Sequence, residues 1–198
     1  MEFFVRLFFL FLSAILVNNF VLSRFLGLCS FIGVSRKTEV ALGMGAAVIF
    51  VITIASIITW PVYNFVLVPA HLEFLNILTF ILVIASFVQL VEMFIKKFYP
   101  PLYKSLGIYL PLITVNCIVL FVALLNVQQE LTFVESVFQS IGAGVGYALA
   151  IVLLTTIRER LELVDIPESL KGAPIAFIIA GLMALAFQGF QGLIPITR

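Results

Sequence analysis

Long apolar stretches joined by short connections constrain this chain more than any other feature of its sequence. Six can be marked out, at 3–28, 40–62, 74–95, 102–126, 133–157 and 173–193. Most approach the ~20 residues that a helix needs to cross ~30 Å of hydrocarbon. In lipid they must be helical, because an open strand edge would leave backbone groups without partners. The sequence therefore predicts an all-α integral membrane protein with six transmembrane helices.

The composition agrees with a protein that is embedded in lipid almost completely. Of 198 residues, 63% are hydrophobic and 11% are charged, whereas a soluble domain is about half apolar and about a quarter charged. The net charge of +1 argues against nucleic acid as a partner. The N-terminus carries Glu2 and Arg6 and lacks a small-residue cleavage pattern, so we expect the first span to be retained. We expect one membrane domain over 1–198.

The basic residues of the connections predict the orientation of the chain. The first, third and fifth connections carry Arg36, Lys37, Lys96, Lys97, Lys104, Arg158, Arg160 and Lys171. The connections at 64–73 and 127–132 contain neither Lys nor Arg. Because short cytoplasmic loops are enriched in Lys and Arg, we expect the first group to be cytoplasmic and both chain termini to lie outside. Arg6 and Arg198 are exceptions near the termini.

Six spans divide into two halves of three, with repeat 1 at about 1–98 and repeat 2 at about 99–198. An odd number of spans in each half gives the second half the opposite orientation, which is a 3+3 inverted-topology repeat. Such repeats place functional sites near the midplane, on interrupted helices. The first span of each half has the residues of an interruption. Asn18 and Asn19 lie in one, and Pro111 and Asn116 lie in the other.

The two cysteines lie in these interrupted spans. Cys29 is seven residues from Arg36, about 10 Å along a helix, and Cys117 is nine residues from Asn126, about 14 Å. Both therefore lie in the central part of the membrane. They could be small buried hydrophobic residues or, less readily, a disulfide. They could also ligate a metal or cluster. An iron–sulfur centre usually takes four cysteines, so a partner subunit, or a second copy related by symmetry, would supply the other two.

Arg24, five residues before Cys29, is a candidate counter-charge for a negatively charged thiolate cluster in lipid. An equally weighted interpretation makes Arg24 a snorkelling or salt-bridged residue. The glycines at 43, 45, 142 and 144 are better explained by close helix packing than by cofactor contact.

Several longer runs resemble one known family of membrane proteins. They are VNNFVL at 17–22, FLGLC at 25–29, GVS at 33–35, LGIYLPLIT at 106–114, NC at 116–117, IRERL at 157–161 and AGLMAL at 180–185. In these runs the chain is similar to the A-type subunits of the Rnf complex, in the Rnf/Nqr membrane subunit family. The paired asparagines favour Rnf over the related E-type subunits of the sodium-translocating NADH:quinone oxidoreductase, Nqr.

The resemblance implies a function and a cofactor. Rnf carries electrons between ferredoxin and NAD and couples them to Na⁺ or H⁺ movement across the bacterial cytoplasmic membrane. In that complex the A-type and the related E-type subunits pair in opposite orientation, beside the B, C, D and G subunits. The pair is expected to share one [2Fe-2S] cluster, and the two ligands from this chain would be Cys29 and Cys117.

Two other functions are compatible with the sequence. A non-redox secondary transporter would also have inverted repeats and broken helices, but the sequence offers few ionisable residues at mid-depth apart from Arg24. A passive scaffold would tolerate replacement of either cysteine.

Overall fold

In the computed structural model, helices are the only regular secondary structure in the part of the chain that is described. That part comprises residues 2–17, 19–35, 38–69, 71, 73–98, 112, 116–164, 167 and 170–189, and it contains no strand. The α-helices are α1 (Glu2–Leu12), α2 (Phe20–Arg24), α3 (Leu28–Val34), α4 (Thr38–Val62), α5 (Asn76–Phe98), α6 (Cys117–Gln128), α7 (Phe133–Leu161) and α8 (Ala173–Gln188). π-Helical turns extend α1 over Ser13–Val17 and α4 over Tyr63–Leu67, and a 3-10 turn over Glu73–Leu75 leads into α5.

The helices agree in position with the predicted spans. Three are long and apolar enough to cross a membrane, and they cover Thr38–Leu67, Asn76–Met93 and Phe133–Leu161. Three shorter apolar helices cover Val5–Leu16, Cys117–Gln128 and Ala173–Gln188. The prediction of an all-α, multi-pass membrane protein is confirmed, whereas the division into two inverted halves stays a prediction.

The interruption predicted for the first span is present. The chain leaves the helix after Ser13–Val17, and α2 begins only after Asn19. A second break separates α2 from α3, where Phe25 and Gly27 adopt left-handed backbone conformations with φ of 53° and 76°. In the second half, the predicted interruption at Pro111 lies outside the described residues, and α6 begins at Cys117.

Large apolar side chains on the outer faces of the helices are the physical signature of a lipid-facing surface. On α5, Leu78 and Leu82 are 65% and 67% exposed. On α8, Leu182 and Leu185 are 62% and 66% exposed. A soluble protein rarely exposes apolar patches of this extent, so lipid is the medium that these faces require.

Contacts between helix ends indicate which ends share a side of the membrane. Arg6 near the start of α1 forms a 3.2 Å ion pair with Glu135 in the first turn of α7. At the other end of α7, Glu159 accepts hydrogen bonds from Thr38 at the start of α4. The start of α1 is therefore beside the start of α7, and the start of α4 is beside the end of α7. This alternation is the one that the predicted loops require. The ion pair with Glu135 also gives a structural reason for a basic residue at position 6, which the loop pattern does not explain.

The centre of the molecule is the contact between α4 and α7, where glycines let two backbones approach closely. A Cβ atom added to Gly144 would lie 2.9 Å from the Cα of Ile49, and one added to Gly45 would lie 2.9 Å from the Cβ of Ala148. Gly142 likewise lies against the first span. Small residues allow this close approach in lipid. The packing interpretation is therefore confirmed for Gly45, Gly142 and Gly144, whereas Gly43 is exposed.

We predict that Gly144→Val destabilises the protein, because the new side chain must push α7 away from Ile49. Overpacking of this kind costs ~1–3 kcal/mol. The measurement is thermal unfolding of the purified chain in detergent. Gly181→Val in α8 is the matched control, since a Cβ there meets no atom within 4 Å. Equal losses of stability in both variants would contradict the prediction.

Candidate functional site

The fold brings the two cysteines together. Cys29 is the second residue of α3, and Cys117 is the first residue of α6. Their side chains are close enough to interact electrostatically, and both are exposed on the surface of the chain. They are therefore neither separate nor buried, and the interpretation of both as small core residues is wrong.

The two cysteines reach this place by different local structures. Asn116 is the N-cap of α6, and its side-chain oxygen accepts a hydrogen bond from the backbone N–H of Ile118. The residue with the same role in the first half is Asn19, which caps α2 and accepts from Val21. Cys117 directly follows its cap, whereas the other cysteine lies on the next helix. Asn19 and Asn116 thus have the same local role, whereas the two cysteines follow them at different distances.

Gly27 makes the turn that brings Cys29 to Cys117. Its φ of 76° is disfavoured for residues with a Cβ atom, and it lies immediately before α3. A Cβ added there would lie 3.0 Å from the side-chain oxygen of Asn116. Both the backbone conformation and the close approach to Asn116 therefore require glycine at this position.

A buried hydroxyl network lies directly behind the cysteine pair. The Oγ of Ser30 accepts hydrogen bonds from the Tyr147 hydroxyl at 2.9 Å and from Asn116 Nδ2 at 3.3 Å. It donates its own proton to the carbonyl of Gly27 at 2.9 Å. The one donor and both acceptor positions of this hydroxyl are thus used. Because Ser30 directly follows one cysteine and Asn116 directly precedes the other, the network fixes the two backbones that carry the thiols.

A second asparagine contact joins the first interruption to the central helix pair. The Nδ2 of Asn19 donates to the carbonyl of Gly146 in α7 at 2.9 Å. Gly146 has no side chain to separate the segments, and a Cβ there would lie 3.1 Å from the carbonyl oxygen of Ala14. The broken first span is therefore held against α7 by an amide hydrogen bond as well as by packing.

Arg24 lies beside this site. It is the last residue of α2, it is exposed, and its guanidinium carbon is 5.3 Å from the ring centroid of Phe121. The Phe121 ring also packs edge-on against Phe20, with the ring centroids 5.2 Å apart. Phe121 is one helical turn after Cys117, so the positive charge lies one turn along α6 from the cysteine pair.

Sequence reasoning identified Cys29, Cys117 and Arg24 but missed Ser30 and Tyr147. The signal was present, since a serine directly after Cys29 and a tyrosine within the glycine-rich fifth span are polar groups in apolar helices. Within the described residues, no group of three or more His, Cys, Asp or Glu side chains could hold a metal ion. This part of the chain therefore offers a pair of thiols.

The proximity of the two cysteines can be tested with dibromobimane, which becomes fluorescent when it bridges two neighbouring thiols. The chain has only two cysteines, so the purified protein needs no background substitutions. We expect bimane fluorescence in the unmodified chain and none in Cys29→Ser or Cys117→Ser. Absence of bridging in the folded chain, under conditions where each thiol reacts singly, would contradict the structure.

Comparisons with known proteins agree with this architecture. A family described as "Rnf-Nqr subunit, membrane protein" matches residues 7–194. The A-type subunit of the Na⁺-translocating ferredoxin:NAD⁺ oxidoreductase complex of Acetobacterium woodii is 57% identical, over 96% of this chain and 98% of the relative. The A-type subunit of the proton-translocating ferredoxin:NAD⁺ oxidoreductase complex of Clostridium ljungdahlii is 54% identical, over 94% of this chain and 97% of the relative.

A relative from Proteus mirabilis is named as the A-type subunit of an ion-translocating oxidoreductase complex. It is 56% identical, over 94% of this chain and 97% of its own length. These relatives are subunits of oxidoreductase complexes by name, and each match covers at least 94% of this chain. The family profile and the relatives at more than half identity agree, and the chain therefore belongs to the Rnf-Nqr family of membrane subunits.

Proposed function

We propose that this chain is the membrane subunit that carries electrons through the bilayer in an ion-translocating ferredoxin:NAD⁺ oxidoreductase of the Rnf type. The relatives from A. woodii and C. ljungdahlii are named for such a reaction, one with Na⁺ and one with protons as the translocated ion. The observation that carries the proposal is the meeting of Cys29 and Cys117 at an exposed face. The coupling ion of this chain is Na⁺ or H⁺.

The cysteine pair fits one half of a [2Fe-2S] site. Such a cluster is usually held by four cysteine thiolates, and the described part of this chain brings two together. Because both thiols are exposed, a second protein can approach them without unfolding of this chain. We propose that the related E-type subunit supplies the other two thiolates, and that the B, C, D and G subunits complete the complex.

The residues around the thiols are suited to hold such a site rigidly in lipid. When bound, the cluster would supply one-electron transfer. The caps and hydrogen bonds of Asn116 and Ser30 fix the backbones next to the cysteines before any partner arrives. Both cysteines also lie in the first turn of a helix, where the macrodipole stabilises negative charge.

Arg24 is proposed to offset the negative charge of the site. Charges interact strongly in a medium of low dielectric constant, and the guanidinium is held over Phe121, one turn from Cys117. An added electron increases the negative charge that must be compensated. A requirement for compensation by a cation or by a polar rearrangement would link electron flow to ion movement.

The proposed location is the bacterial cytoplasmic membrane, with six spans in a 3+3 inverted repeat and both termini outside. The distribution of basic residues supports this orientation. The contacts Arg6–Glu135 and Thr38–Glu159 support the alternation of the helix ends. The equivalent asparagine caps of α2 and α6 support the repeat.

The first test concerns ligation. We expect Cys29→Ala and Cys117→Ala, each co-expressed with the E-type partner, to abolish the visible absorbance and the EPR signal of the purified pair. Ser23→Ala is the matched control, because Ser23 is an exposed residue of the neighbouring helix α2. A normal signal in either cysteine variant would refute ligation. Absence of iron from the unmodified pair would favour a non-redox transporter.

The second test concerns Arg24. We expect Arg24→Gln to lower the reduction potential of the cluster, because removal of a nearby positive charge disfavours the reduced, more negative form. Arg24→Lys keeps the charge and should retain most of the potential. The measurement is a potentiometric titration followed by EPR. An unchanged potential in Arg24→Gln would assign Arg24 to packing on Phe121 alone.

A further inference from the structure

Two short runs of sequence that the cysteine site does not use meet at one end of α7. The run at 33–35 ends helix α3, and the run at 157–161 ends helix α7. Arg158 and Glu159 of the second run make four hydrogen bonds there, two to the end of α3 and two to the start of α4. Arg158 and Glu159, two neighbouring residues of opposite charge, form a clamp between these helix ends.

Arg158 holds the end of the helix that carries Cys29. Its Nη1 donates to the carbonyl oxygen of Ile32 at 3.0 Å and to the Oγ of Ser35 at 2.6 Å. Ser35 is fully buried, and its own hydroxyl donates to the same carbonyl at 3.2 Å. The last carbonyls of a helix have no partner within it, and a positive charge there is favoured by the macrodipole. Arg158 supplies both the donor and the charge.

Glu159 holds the start of the next helix. Its Oε1 accepts from the backbone N–H of Thr38 at 3.0 Å and from the Thr38 Oγ1 at 2.6 Å. The first N–H groups of a helix also lack intrahelical partners, and a negative charge is favoured at that end. The clamp thus matches an arginine to a helix C-terminus and a glutamate to a helix N-terminus.

Helix α3 is consequently attached to α7 at both ends. At its N-terminal end Ser30 accepts from Tyr147, and at its C-terminal end Ile32 and Ser35 accept from Arg158. This helix is seven residues long, which is too short to be stable through its own hydrogen bonds. Its orientation therefore depends on tertiary contacts, which are these attachments and the burial of Phe31 and Val34 in the core. Cys29 is one residue from the first attachment.

We propose that Arg158 and Glu159 are positioning residues for Cys29. They fix the end of α3 and the start of α4 to α7, so that the Cys29 thiol stays against Cys117. The positional role concerns the geometry of this chain alone, and its consequence for a cluster rests on the proposed function.

The test compares Arg158→Gln with Arg160→Gln in the full-length chain. Arg160 lies on the same turn of α7 and is exposed, so its replacement removes the same charge without altering the contacts of α3. The readout is the rate of dibromobimane bridging between Cys29 and Cys117, measured with single-thiol reactivity as reference. Because a hydrogen bond to a charged group contributes more than a neutral one, we expect bridging to fall about tenfold in Arg158→Gln. Arg160→Gln should bridge at the original rate.

Two milder variants keep the test decisive if Arg158→Gln fails to fold. Ser35→Ala removes the 2.6 Å acceptor and leaves the arginine in place, and Glu159→Gln leaves the α3 contacts intact. Both should slow bridging to an intermediate rate. Bridging at the original rate in every variant would overturn the positional role.

The EPR signal of the cluster is a separate measurement, made on this chain co-purified with the E-type partner. We expect Arg158→Gln to broaden or shift the EPR signal and Arg160→Gln to leave it unchanged. If bridging falls in Arg158→Gln while the unmodified pair holds no cluster, the clamp stands and the proposed function fails. If the pair holds a cluster and bridging is unaffected by Arg158→Gln, the clamp fails and the proposed function stands.

Discussion

Backbone hydrogen bonding at helix ends inside the apolar region is the constraint on which this structure depends. A helix that begins within lipid has N–H groups that water cannot reach, and each unsatisfied group costs several kcal/mol. This chain meets the demand with side chains. Asn19 and Asn116 cap α2 and α6 within the apolar stretches. Near a connection, Arg158 likewise donates to the carbonyl oxygen of Ile32 in the last turn of α3. Each of these side chains also contacts a second element, so the groups that end helices also join them.

The same constraint explains why the cysteine pair lies where it does. A continuous first span would keep Cys29 on a single long helix, but the left-handed turn at Gly27 starts a new one beside α6. Ser30 then ties that start to Asn116 and Tyr147. Behind these contacts α4 and α7 approach closely through glycines. A tightly packed helix pair thus supports an exposed thiol pair, and this arrangement suits a site that a partner completes.

The hydropathy pattern of the sequence predicted the positions of most helices and of the first interruption. The apolar stretches predicted the helices to within a few residues in most cases, since the length of a span is set by the thickness of the bilayer. Asparagines within an apolar span predicted the first interruption, because few other residues can satisfy the backbone groups that a break releases. The site was predicted less fully. Ser30 and Tyr147 were missed, because the hydrogen bond that joins their hydroxyl groups connects residues more than a hundred positions apart in the sequence.

The sequence by itself determined that this chain spans a membrane, where its helices lie and which two thiols are available. These follow from properties of each segment alone: its free energy of transfer to lipid, its helix propensity and the identity of the side chains where a helix breaks. Only the tertiary structure decided that Cys29 and Cys117 are neighbours, that Asn19 and Asn116 both cap helices, and that Arg158 and Glu159 hold adjacent helix ends. Those relations depend on how closely α4, α6 and α7 pack, and close packing is a property of the assembled helices rather than of any one segment.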